Sequence, residues 1–126
     1  MRILLDTHVL LWVAMDSPRL SDSARSLILN ADASFSAASI WEVIIKSGLG
    51  RDDFVVDAAD LRHGLLRSGF AELPVTGAHV LEVANLPDMH RDPFDRVLLA
   101  QARWEGMSLG SVDAQLIGLP GVVDLR

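Results

Sequence analysis

The chain contains no cysteine, which excludes a disulfide framework, a thiol nucleophile and a zinc–thiolate centre. Lysine is nearly absent too: Lys46 is the only one, and the other basic residues are arginine. Against 11 Lys and Arg stand 17 Asp and Glu, a formal charge of −6 with a pI of about 5.0. That balance argues against a generic polyanion-binding surface. No apolar run approaches the ~20 residues that cross a bilayer. The stretch Met1–Asp6 lacks the long apolar core and cleavage site of a signal peptide, so a cytoplasmic protein without membrane association is expected. The four histidines (His8, His63, His79, His90) lack paired ligand spacing of the HExxH kind. Repeats, linkers and low-complexity segments are absent from the sequence.

What remains is a chain of 126 residues, half of them apolar, with a mean hydropathy of +0.30. One packed domain over residues 1–126 is expected, burying about two-thirds of its unfolded surface. The high apolar fraction also suggests surface covered by a partner or a second copy. Apolar periodicity and punctuation predict alternating strands and helices. Strands are expected near residues 2–6, 33–36, 71–73, 107–111 and 122–125. Helices are expected near 8–15, 21–30, 38–47, 57–68, 76–85 and 92–105. Ser21 and Asp92-Pro93 read as helix starts, and Gly69 and Gly106 as left-handed stops, with Gly48 and Gly50 stopping the third helix. The alternation predicts an α/β fold with a mostly parallel sheet of about five strands and helices on both faces.

Chemistry enters through carboxylates. Asp6 closes the apolar run Ile3-Leu4-Leu5, so the first strand delivers it to the carboxyl edge of the sheet, where open α/β sheets build their ligand sites. Glu42 lies in the helix behind the second strand, Asp95 in the first turn of a helix, and Asp113 after a late strand. In a parallel sheet these positions share one rim. Each acid alone has a plain structural explanation: Asp6 beside an N-cap Thr7, Glu42 paired with Lys46 four residues on along a polar stripe with Ser39, Asp113 as a cap. Asp92 fits the N-cap with Pro93 at the first helical position, and Asp95 serves the same terminus. Together, four acids on one rim call for a cation. Oxygen ligands without cysteine or paired histidine favour Mg²⁺ or Mn²⁺. His90 reads as a loop residue.

The stretches Ile3–His8, Ser36–Val43, His90–Ala102 and Leu109–Asp113 resemble the PIN-domain ribonucleases, and more narrowly the VapC-type toxins of toxin–antitoxin pairs. The likeness is collinear over the chain, with Asp92-Pro93-Phe94-Asp95-Arg96 its most specific part. It implies that Asp6, Glu42, Asp95 and Asp113 are catalytic metal-site acids, that RNA is the substrate, and that the chain forms a homodimer neutralised by a small antitoxin. Ser111 stands where that family has Thr or Ser near the site; Gly110 departs from the usual apolar strand. The mechanism expected is metal-assisted phosphodiester hydrolysis, with Asp6 and Asp95 on the main cation and Glu42 and Asp113 ligating through water or holding a second ion. Ser111, Arg91, Arg96 and Lys46 are candidates for binding the substrate, the three basic residues by holding phosphate. Two rivals are a non-catalytic PIN-like binding module and a phosphoacceptor receiver domain; the latter expects adjacent acids after its first strand, where Thr7 stands.

Overall fold

The computed structural model describes residues 1–49 and 56–126; Gly50, the second expected stop of the third helix, lies outside them. Five strands form one parallel sheet: β1 (Arg2–Leu5), β2 (Asp32–Ser36), β3 (Ala71–Leu73), β4 (Ser108–Ser111) and β5 (Val122–Asp124), in the order β3-β2-β1-β4-β5. The helices are α1 (Thr7–Ala14), α2 (Asp22–Asn30), α3 (Ala37–Ser47), α4 (Ala58–Arg67), α5 (Gly77–Glu82) and α6 (Pro93–Glu105). The α/β fold and parallel sheet are as the alternation predicts. Strand order runs outward from β1 in both directions, so the chain reverses its direction of travel between β1 and β4. That gap is the crevice where such sheets bind ligands. A receiver-like order would be 2-1-3-4-5, so the topology sets that rival aside.

Alternation along β1 divides the interior. Ile3 and Leu5 face one core with Val9, Leu10, Phe35, Leu61, Leu65 and Leu125. Leu4 faces the other, with Leu98, Leu99, Leu109 and Leu116. A strand buried on both faces reads as a continuous apolar run, as Ile3-Leu4-Leu5 does. Gly106 ends α6 at φ 69° and Gly69 follows α4 at φ 93°, both in the left-handed region open to glycine. The helix expected over 76–85 divides into α5 and a 3₁₀ turn over Val83–Asn85. Thr76 caps α5 through a reciprocal pair with His79. Among the described residues no helix is long and apolar enough to cross a membrane.

Candidate active site: acids at the sheet's switch point

Asp6 is held where β1 becomes α1. It is the N-cap of α1, and its Oδ1 accepts the Val9 N–H at 2.9 Å. Its Oδ2 accepts the Ser111 hydroxyl. Ser111 Oγ in turn accepts the Asp113 N–H at 3.0 Å, and the Gly110 carbonyl accepts the Asp6 N–H at 3.0 Å. The ends of β1 and β4 are therefore stitched together by the segment that departs from the family pattern. A Cβ at Gly110 would stand 2.7 Å from Leu125 Cδ1 and 2.8 Å from Ile3 Cδ1. Glycine lets the ends of the Ile3 and Leu125 side chains close over β4 there without shifting.

Glu42 sits on α3, whose N-cap is Ser36. Sequence patterning puts Ser39, Glu42 and Lys46 on a polar stripe compatible with solvent and gives α3 an apolar face of Ile40, Trp41, Ile44 and Ile45. The structure turns this helix the other way: Glu42 is 3% exposed and Ser39 1%, whereas Trp41 is 60% and Ile44 56% exposed. The polar stripe faces inward because the acidic cleft, not solvent, lies on that side. Glu42 Oε1 accepts from Thr7 Oγ1 at 2.5 Å, and Thr7 is also hydrogen-bonded to Ser39 Oγ at 3.0 Å. Glu42 Oε2 accepts from Lys46 Nζ at 2.5 Å.

Asp92 caps α6: its Oδ1 accepts the Phe94 and Asp95 N–H groups at 2.9 and 3.0 Å, with Pro93 opening the helix. This leaves the Asp95 carboxyl free to face the cleft. Asp95 Oδ2 is 2.6 Å from His90 Nε2. Burial pushes the Asp95 carboxyl up to about 6; the bond to His90 opposes the shift, and repulsion from Asp92 and Glu42 adds to it. Asp6 is likewise raised, chiefly by burial, against the bonds from Ser111 and Val9 and with Asp113 adding repulsion. Asp113 Oδ1 accepts the Gln115 N–H at 2.9 Å.

All four acids line one cleft of about 210 Å³, together with Lys46 and His8. Ser111, a substrate-binding candidate from sequence, is fully buried and bonded to Asp6, so it orients that acid and does not reach a substrate. Neither Arg91 nor Arg96 lines the cleft. His90, which reads from sequence as a loop residue, lies close to two of the acids: His90, Asp95 and Asp113 offer ligand atoms mutually within 4.8 Å. The only signal in the sequence was its position five residues before Asp95. His90 Nδ1 is buried with no hydrogen-bond partner among the described residues. Four carboxylates on one cleft, with Asp6 and Asp95 raised chiefly by burial, form an oxygen donor set that fits a divalent cation.

The family model described as "PIN domain" matches residues 3–120. The chain belongs to the PIN domain family. PIN domains are typically nucleases and generally use divalent metals. Solved structures of the same fold include a toxin–antitoxin complex from Klebsiella pneumoniae, at 19% identity with a TM-score of 0.69, covering 98% of each chain. VapBC2 from Rickettsia felis, bound to a DNA fragment from their promoter, is 12% identical with a TM-score of 0.71 over 100% of each chain. FitAcB from Neisseria gonorrhoeae is 16% identical, with a TM-score of 0.61 over 98% of this chain and 96% of that one. At these identities the likeness is one of fold. Among curated proteins none matches this sequence.

Proposed function

We propose that this PIN domain is a Mg²⁺- or Mn²⁺-dependent endoribonuclease, the toxin of a VapC-type toxin–antitoxin pair. The observation that carries the reading is the convergence of Asp6, Glu42, Asp95 and Asp113, from four separate segments, on one cleft at the switch point. Asp6, Glu42, Asp95 and Asp113 would hold a divalent cation, which would acidify a water and stabilise charge on the phosphoryl oxygens. The chain's own residues do the rest. Ser111 and the α1 N-terminus fix Asp6, and Thr7 and Lys46 fix Glu42. Asp92 caps α6 and so aims Asp95 at the same cleft. Lys46 is the one basic phosphate-binding candidate on the cleft wall; Arg91 and Arg96 are assigned to flanking phosphates of a longer RNA. No protein nucleophile is required.

The antitoxin partner is supported by the similar structures, which include toxin–antitoxin complexes, and by the acidic cleft, which attracts a basic side chain inserted from outside. A homodimer is supported by the outward apolar face of α3 and α5. Trp41, Val75, Val80 and Phe94 line an apolar cleft of about 360 Å³ there, and Trp41 stacks edge-on against Phe94 at 5.2 Å. Incubating the purified protein with total tRNA and rRNA, with and without Mg²⁺, and mapping the ends tests the activity. New ends are expected only with the ion. Intact RNA under both conditions would remove the proposal.

A further inference from the structure

We propose that Gln101, through a buried bridge to Ser36, is the positioning residue that sets α3 against α6 and so holds Glu42 and Asp95 at the separation a divalent cation needs. The proposal rests on the metal-dependent reading above and adds a device remote from the cleft itself.

Gln101 lies on the core face of α6 and is fully buried, as is Ser36. Its amide works at the carboxyl edge of the sheet. Oε1 accepts the Ser36 hydroxyl at 2.6 Å, and Nε2 donates to the Pro74 carbonyl at 3.3 Å. A carbonyl can only accept, so Pro74 fixes which end of the amide faces which partner. Ser36 ends β2 and caps α3, its Oγ accepting the Ala38 N–H at 3.0 Å. Pro74 follows β3. One side chain of α6 therefore grips the ends of two strands and the root of α3. Among the described residues, Ser36–Gln101 is the only hydrogen bond joining α3 or its cap to α6. Elsewhere these helices meet through apolar surface, with Trp41 edge-on to Phe94.

Replacing such a buried pair by apolar groups is often neutral for stability, so packing alone does not call for an amide here. Geometry does. Apolar contacts tolerate sliding, whereas a hydrogen bond fixes distance and angle. The bridge is equally remote from both acids: Glu42 comes six residues after Ser36, and Asp95 six residues before Gln101. At about 1.5 Å of rise per residue each lever is roughly 9 Å long. A tilt of about 10° at the bridge displaces either carboxylate by about 1.6 Å. Metal–ligand distances tolerate only about 0.2 Å. The helices also have a reason to part, since Glu42 and Asp95 repel each other.

Calorimetric titration of the full chain with Mn²⁺, well below the unfolding midpoint of each variant, is the test. Affinity is expected to fall at least about tenfold in Q101L and in S36A. The double variant S36A/Q101L should lose no more than the weaker single variant, as one shared bridge requires. The rise in unfolding midpoint on adding Mn²⁺ should shrink in step. A pair with a purely structural role lowers the midpoint but leaves the ion affinity of the folded chain unchanged. Affinity within about twofold of wild type in folded Q101L, or losses that multiply in the double variant, overturns the positioning role and leaves the nuclease reading standing. If Q101L does not fold by circular dichroism, S36A decides on the same threshold. Loss of folding in both assigns the pair to the core alone and overturns the proposal. No Mn²⁺ binding by wild type overturns both the positioning role and the nuclease reading.

Discussion

Replacing Asp95 by Asn changes one atom and removes one charge from the most repulsive part of the cleft. Its carboxyl, ordinarily ionising near 3.8, is raised to about 6 in the fold. Between about pH 4 and 6 the folded chain therefore holds a proton that the unfolded chain has released, and native stability falls as pH rises through that window. A shift of that size corresponds to roughly 3 kcal/mol at neutral pH. The acid's favourable interaction with the α6 N-terminus, about 0.3–1 kcal/mol, is lost in the variant. Solvent screening of a partly exposed carboxylate reduces the remainder. The net expectation for metal-free D95N is a stabilisation of about 1–2 kcal/mol near pH 8, or roughly 3–8 °C in Tm. The gain should shrink as pH falls through this window and vanish only well below pH 4, where wild-type Asp95 is protonated in both states. Saturating Mn²⁺ should invert the order, because the ion binds the wild-type site. Thermal unfolding in chelator across this pH range is the assay. A variant less stable than wild type near pH 8, or a difference that is flat with pH, refutes the reasoning.

Further outcomes follow from single contacts. G110A forces a Cβ against Leu125 and Ile3 and is expected to cost about 1–3 kcal/mol in denaturant unfolding; an unchanged midpoint would contradict the packing. S111A removes the hydroxyl bonded to both Asp6 and the Asp113 N–H. The single-turnover cleavage rate should fall at least about tenfold while the chain stays folded, checked by circular dichroism. W41E places a charge on the outward face of α3, half of the proposed dimer surface. Sedimentation should then report a monomer where wild type is a dimer, with the unfolding midpoint of the monomer little changed.

Elements with strong local signals were legible from sequence. The β1 run ending in Asp6, the Asp92-Pro93 start and the Gly106 stop of α6 stand where composition places them, because caps and breakers are decided within one turn of chain. The orientation of α3 was not. Helical periodicity separates Ser39, Glu42 and Lys46 from Trp41, Ile44 and Ile45, but it does not say which stripe faces inward. Topology decided that, by turning the polar stripe toward acids from β1 and α6 and leaving the apolar one outward. His90 escaped for a related reason. A single histidine in a loop has no periodicity, and its closeness to Asp113 depends on the tertiary fold. Gly110, which the sequence marks as an interruption, is explained only by the Leu125 and Ile3 side chains packed against it.

The most direct measurement is RNA cleavage by wild type, D6N and D95N at one Mg²⁺ or Mn²⁺ concentration, with folding of each protein verified by circular dichroism. If four dispersed acids form one cation-dependent nuclease centre, both substitutions abolish cleavage while the fold persists. Full activity in either folded variant would contradict that claim.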